Sequence, residues 1–501
     1  MKYLPALAAV CLLIVPSVAL AQHIFPNPNP AGHTITVDTS GRFNSVGFDN
    51  NGTIEITSDG TLTNRINGVL TNNAHSKINN AVGGTLINNG MLVNDWLAEM
   101  TNDGTFANAW TMTNNATLTN NGKFTNDMAT LTNNRTLINT GTLSSSGYSV
   151  KFNNYGTLHN KSGGTLNMDI GGSGSLPGEK WGLTNYGTLK NESGGTLNNT
   201  RTVNNEWMLN NLGTLSNNSK ATLNNSFLLI NNKTLQNDYR LYNNAQAALE
   251  NFGTLKNTWL LDNRHGGTLA NSGTIEIAGG GTLTNDGILD ITDGGTLIND
   301  GSLVNHSDGT LINDGTIDTS QSVKGAAGFT NNGTYQGSGI VIGKWTDHGH
   351  IKSGNPAVLE SAGVMTTDGD YYKREGSHEI ELGGLFDGGG DHAITEFDWI
   401  DVTGNVELAG LLNVSLIDGF ELHRGNWFDI LRVGGTLSGQ YEGLGEGALV
   451  GNFGGQDLFI TYGGMGDGGG VALYTNAVPE PTTVLIWSML AGLGMTVRRR
   501  R

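Results

Sequence analysis

Cysteine is almost absent. The single residue, Cys11, falls in an N-terminal segment expected to be removed. The remaining chain can form no disulfide, no thiolate metal site and no thiol nucleophile. That excludes zinc fingers, iron–sulfur clusters and papain-like catalysis. Charge is also scarce, at 14% of residues, and the balance is acidic, with a formal net charge of −17. Affinity for nucleic acid rests mainly on Lys and Arg contacts with phosphate, so no nucleic-acid partner is expected. Long apolar runs are missing from the body of the chain and occur only at its two ends.

The first end has the order of a secretory signal. Lys2 precedes an apolar run from Leu4 to Val15, then Pro16, then Ala19-Leu20-Ala21. Residues 1–21 are therefore expected to be a signal peptide cut between Ala21 and Gln22. No Cys follows the cut, so lipidation is not expected. The other end, residues 477–501, begins with Pro479-Glu480-Pro481. An uncharged apolar stretch follows over residues 482–497, and the chain closes on Arg498, Arg499, Arg500 and Arg501. The stretch is slightly shorter than the ~20 residues that span a bilayer comfortably. It is expected to form one hydrophobic transmembrane helix with the arginines on the cytoplasmic side.

Pro-Glu-Pro, a short apolar span and a terminal Arg run together resemble the PEP-CTERM sorting signal of Gram-negative, biofilm-forming bacteria. The resemblance covers only the tail. It implies Pro479, Glu480 and Pro481 as the recognition motif, Arg498 to Arg501 as the stop, and an exosortase as the processing partner. It also implies a body held in the periplasm by a transient inner-membrane anchor, then passed to the cell surface or exopolysaccharide matrix.

Between these ends the chain is a repeat, and repeats decide a fold before anything else does. The unit is G-T-L-x-N, with clean copies from Gly60 to Gly309. Between Gly267 and Gly315 its steps alternate strictly: 267, 273, 281, 287, 295, 301, 309, 315. Each step is too short for a helix and a turn but fits a short strand and a corner. T-L-x-N reads as one inward residue flanked by outward polar ones. Asn-Gly and Asp-Gly corners are expected to supply positive φ. About three such strands per rung, coiled into a parallel β-helix over residues 22–345, stack Leu, Ile and Phe into a narrow core. Asn side chains at equivalent corners can stack as well and bond to one another's amides. The irregular steps favour a right-handed coil over the left-handed hexapeptide form. The repeat resembles the β-helix of haemagglutinin and autotransporter-passenger adhesins, which implies an adhesive or structural role.

A second kind of unit carries Trp where Gly usually stands, at Trp96, Trp110, Trp207 and Trp259. Packing over a wide corner is the simpler reading. An exposed stripe that stacks on sugar rings is the functional one, and these four are the candidate carbohydrate contacts.

From residue 346 to 476 the alternation lengthens, as in Asp398-Trp399-Ile400-Asp401-Val402 and Leu458-Phe459-Ile460-Thr461-Tyr462. The order of these segments resembles the C-terminal part of passenger β-helices, which implies a β-rich region that continues or caps the solenoid. No barrel translocator is expected. Asp286, Asp300 and Asp314 recur with the repeat and read as turn formers. Asp347, His348 and His350 form D-H-G-H, and Asp387 to Asp391 form a Gly-rich loop. The first is a candidate metal cluster that reads more simply as a solvated loop, and the second misses the spacing of Ca²⁺-binding glycine repeats, so no metal or cofactor is assigned. The expected function is a non-enzymatic surface or matrix protein associated with biofilm exopolysaccharide or other surface glycans. A lyase or glycosidase on a β-helix is the alternative.

Overall fold

The computed structural model describes residues 22–39, 41–169, 182–322, 328–354, 362–391, 394–464 and 469–476. The chain forms two compact units, residues 1–144 and 145–501. Each is an all-β parallel solenoid, with no α-helix among the described residues. In each, successive strands visit three parallel sheets in turn, called here A, B and C.

The four-residue word sets the strand. In Thr188–Asn191, burial alternates between half-exposed and buried. Leu189 and Asn191 both face inward, while Thr188 and Lys190 face out, as a period of two requires. The same alternation recurs in nearly every strand of the repeat. The expectation of one inward residue per word is therefore corrected. Asparagine is the second inward residue, because it lies two positions from leucine.

Equivalent residues stack in register. In the first unit Leu86, Phe106 and Phe124 are successive partners on sheet A, and the two Phe rings stack at 4.4 Å. In the second, sheet C carries Leu189, Leu209, Leu229, Leu249, Leu269 and Leu289 on consecutive turns, all fully buried. With turns about 4.8 Å apart, each leucine packs on its own kind. Burying one such side chain contributes roughly 1.5–3 kcal/mol.

A polar inner row would be unaffordable without partners, and the asparagines supply them to one another. On sheet B of the second unit, Asn154, Asn185, Asn205, Asn225, Asn243, Asn263, Asn285, Asn305 and Asn331 form one chain. Each Nδ2 donates to the next Oδ1, at 2.6–2.9 Å. The amide N–H groups also bond a backbone carbonyl that opens the following strand one turn later, as Asn231 on sheet C does with the Thr254 carbonyl at 3.0 Å.

Corners are mostly two or four residues long. In most four-residue corners the third residue is left-handed, as at Asn67, His75 and Gly266. Two-residue corners differ from expectation. Gly104 and Gly122 do not have positive φ. They are glycine because a Cβ on Gly122 would collide with the Gly104 carbonyl of the turn before.

The parallel pairing runs on past residue 346. Sheet A of the second unit continues through Val364–Asp368, Trp399–Val402 and Trp427–Val433. It then changes direction: Trp427–Val433 pairs antiparallel with Gly470–Thr475, that strand with Gln456–Thr461, and that with Leu449–Phe453. Residues 1–21 and 477–501, with the signal-peptide and sorting-motif assignments, lie outside the described residues; only Gln22 of them is described, opening the first strand, Gln22–His23. Among the described residues no helix is long and apolar enough to cross a membrane.

Candidate functional site: the aromatic corners

The strands spend their inward positions on core and ladder, so bulky side chains that face solvent collect at the corners. All four candidate tryptophans do. Their exposures are 61% for Trp96, 63% for Trp110, 49% for Trp207 and 54% for Trp259. The rings are thus only partly covered, and the corners hold them at the surface. Trp110, Trp207 and Trp259 each take the last corner position, directly before a strand. Trp96 instead is second in the four-residue corner before Glu99–Asn102, and Leu97 after it has positive φ.

The four do not share one surface. In the first unit Trp110 lies on the corner between sheets A and B, in a column with Val46, Ile66 and Met128, all more than half exposed. Between Ile66 and Trp110 the corner shrinks to Asn89-Gly90. The missing bulk leaves a notch of about 390 Å³, walled by Ile66, Met91 and Trp110, with Asn67 and Asn89 also lining it. Trp96 lies on the corner between sheets B and C. The Arg135 guanidinium sits 5.0 Å from its ring centroid, a cation–π contact.

In the second unit Trp207 has company that the sequence reading missed. Tyr155, Tyr186, Trp207 and Phe227 occupy the B–C corner on four consecutive turns. Tyr155 stacks on Tyr186 at 4.8 Å, and Trp207 on Phe227 at 4.3 Å with planes 1° apart. Trp259 pairs likewise with Tyr239 at 6.0 Å on the A–B corner. The available signal was position, since each aromatic falls in the one or two residues between an Asn and the next strand.

These stacks decide which rings can take a ligand face. One face of Trp207 is covered by Phe227, and Arg135 lies over Trp96. Trp110 instead borders an open notch that Asn67 and Asn89 also line. An open aromatic face next to hydrogen-bonding groups suits a sugar ring, which has an apolar C–H face and a polar rim.

The acidic groups are dispersed. Asp347, His348 and His350 do not converge: Asp347 is buried against Lys373, and His350 Nδ1 shares a 2.7 Å hydrogen bond with Ser377. Asp387 is bound by Arg432 at 2.6 Å, and that contact holds its carboxyl below the usual range. Among the described residues no group of three or more His, Cys, Asp or Glu is placed to hold a metal ion. Glu192 is held low by its hydrogen bond from Lys161 at 3.0 Å. Asp290, half-buried on an outward strand position, is pushed up by burial and then by Asp314. No protein-family model matches the sequence, and no curated protein is similar to it.

Proposed function

We propose that this chain is an exported structural and adhesive protein of a Gram-negative cell surface or biofilm matrix, which holds glycans at its aromatic corners. The observation that carries the glycan reading is the notch at Trp110, an open ring face beside Asn67 and Asn89 on an otherwise polar, ladder-built solenoid. Export rests on the leader and tail. In this reading the body is anchored briefly in the inner membrane by a helix over residues 482–497. An exosortase then recognises Pro479-Glu480-Pro481 and releases it to exopolysaccharide. We take the coil to be right-handed and the body to be non-catalytic.

Two experiments test the two halves. Full-length chain expressed with and without an exosortase should differ at its C-terminus by mass, with Pro479 to Arg501 lost only when the enzyme is present. Identical termini would remove the sorting half. Affinity electrophoresis of the purified body in neutral and acidic polysaccharides should show retardation that Trp110→Ala weakens. Equal mobility of both proteins in every gel would remove the glycan half.

One observation favours the alternative, a carbohydrate-active enzyme. Asp290 combines an upward shift with a second carboxylate, Asp314, nearby, the pairing a general acid and base require. New reducing or unsaturated ends from a polysaccharide panel, lost in Asp290→Asn, would replace the adhesive reading.

A further inference from the structure

The asparagine chain on sheet B of the second unit does not end on asparagine. Asn331 Nδ2 donates to Asp347 Oδ1 at 2.6 Å, and the other oxygen of Asp347 meets Lys373 Nζ at 2.5 Å. Asp347 and Lys373 are directly paired residues of neighbouring strands, and both side chains are fully buried. Around them the inner column is aromatic: Phe329 stacks on Trp345 at 5.2 Å, and Trp345 on Tyr371 at 4.7 Å. An ion pair sealed in such a box is a poor stabiliser, because desolvation offsets most of its Coulombic gain.

The geometry is that of an acyl transfer held ready. Asp347 Oδ1 accepts two hydrogen bonds, from Asn331 Nδ2 and from the Gly349 N–H at 3.1 Å. Two donors on one oxygen stabilise the negative charge that develops there when a nucleophile adds to the carbon. Lys373 Nζ is the nucleophile in place, and its own N–H donates to the Gly349 carbonyl at 2.6 Å, which orients it. Water is excluded, and reactants held at contact gain greatly in effective concentration.

We propose that Lys373 and Asp347 condense to an isopeptide bond that staples two successive turns of the solenoid. The bond formed is Lys373 Nζ–Asp347 Cγ, and the bond broken is Asp347 Cγ–Oδ2. Oδ2 leaves as water with two of the three ammonium protons, and one stays on the amide nitrogen. Nothing is oxidised or reduced, and no further reactant enters. Burial acts in the same direction, since it raises the Asp347 carboxyl and lowers the Lys373 amine, toward the neutral acid and free amine that react. The product exchanges two buried charges for a neutral amide. In a body without cysteine, such a link would supply the covalent closure that disulfides give other exported proteins.

Mass spectrometry of the folded full-length chain, denatured and digested with trypsin, tests this directly. The expected product is a branched peptide joining residues 345–352 to the segment that carries Lys373, lighter than its two parts by one water and uncut after Lys373. Lys373→Met should return residues 345–352 as a linear peptide of its sequence mass. The wild-type digest decides even where that variant does not fold. Linear peptides at their sequence masses in wild type would overturn the proposal. So would a branch that has lost ammonia, which would put the bond on Asn331 instead.

Discussion

Ile56 sits directly before Asn80 on sheet C of the first unit, and the side-chain oxygen of Asn80 is buried with no donor. The two facts are cause and effect. Each ladder amide donates forward, so each ladder oxygen depends on the residue one turn earlier. Where that residue is isoleucine, the next asparagine is orphaned. The same holds for Asn299 after Ile277 and Asn313 after Ile291.

This directionality makes the ladder's response to mutation unequal. Asn231→Ala, in an unbroken run, should orphan the oxygen of Asn251 and free one N–H of Asn211. A loss of about 2–4 kcal/mol is expected from the unmet groups and the small void. Ile277→Asn should join Asn257 to Asn299 and offset its lost apolar burial with two hydrogen bonds, for a net change within about 1 kcal/mol. Urea unfolding followed by circular dichroism separates the two. Equal losses would show that the asparagines act only as fillers.

The corner glycines should divide by cause. Gly122→Ala places a methyl group against the backbone of Gly104 and Asp103. Backbone cannot yield as a side chain can, so about 3 kcal/mol is expected. Gly280→Ala meets nothing within 4 Å but keeps a left-handed φ of +95°, a strain of roughly 1–2 kcal/mol. Thermal melts of both variants test the order. Gly280→Ala as the more damaging change would contradict the close-approach account.

Trp110 and Trp207 have the same residue type and opposite predicted readouts. Trp207→Ala removes a ring stacked on Phe227 and should lower the melting temperature while leaving polysaccharide retardation near wild type. Trp110→Ala opens an already open notch, so it should weaken retardation severalfold with little change in melting. If Trp207→Ala alone lost retardation, the four-turn aromatic ladder would replace the notch as the glycan surface.

How far the sequence reached depended on distance along the chain. Thr188-Leu189-Lys190-Asn191 reads as a strand by itself, and the short steps between copies suggest about three strands per turn. The inward position of Asn191 was legible from its spacing to Leu189, but a polar letter was read as outward because its partner, Asn211, belongs to the next turn. Phe227 was overlooked beside Trp207 for the same reason: their stacking depends on register, and register appears only once the coil is closed. The Asp347–Lys373 pair was less legible still. It falls where the repeat has faded, and residues of several intervening corners must be placed before the two meet.

His378 gives the solenoid an acid limb of predictable sign. It is fully buried, shares a 2.6 Å hydrogen bond with the Tyr441 hydroxyl, and has no partner at Nε2 among the described residues. Burial, with Lys373 nearby, pushes its pKa down to about 3. Unfolded, the same imidazole titrates near 6.5. Between those values the unfolded chain binds a proton that the folded one refuses, so stability falls as pH drops below about 6.5 and levels off near 3. At about 1.4 kcal/mol per unit the full loss is roughly 4–5 kcal/mol, as an upper bound. Buried Asp398 is shifted upward by burial and acts in the opposite sense, so wild type alone cannot isolate the histidine. The difference can. Melting temperature against pH from 3 to 7, for wild type and His378→Phe, should show the wild type losing ground to the variant as pH falls, by the histidine's share. Parallel curves would mean that His378 takes up its proton as readily in the folded chain as in the unfolded one, and would overturn its sealing in the core.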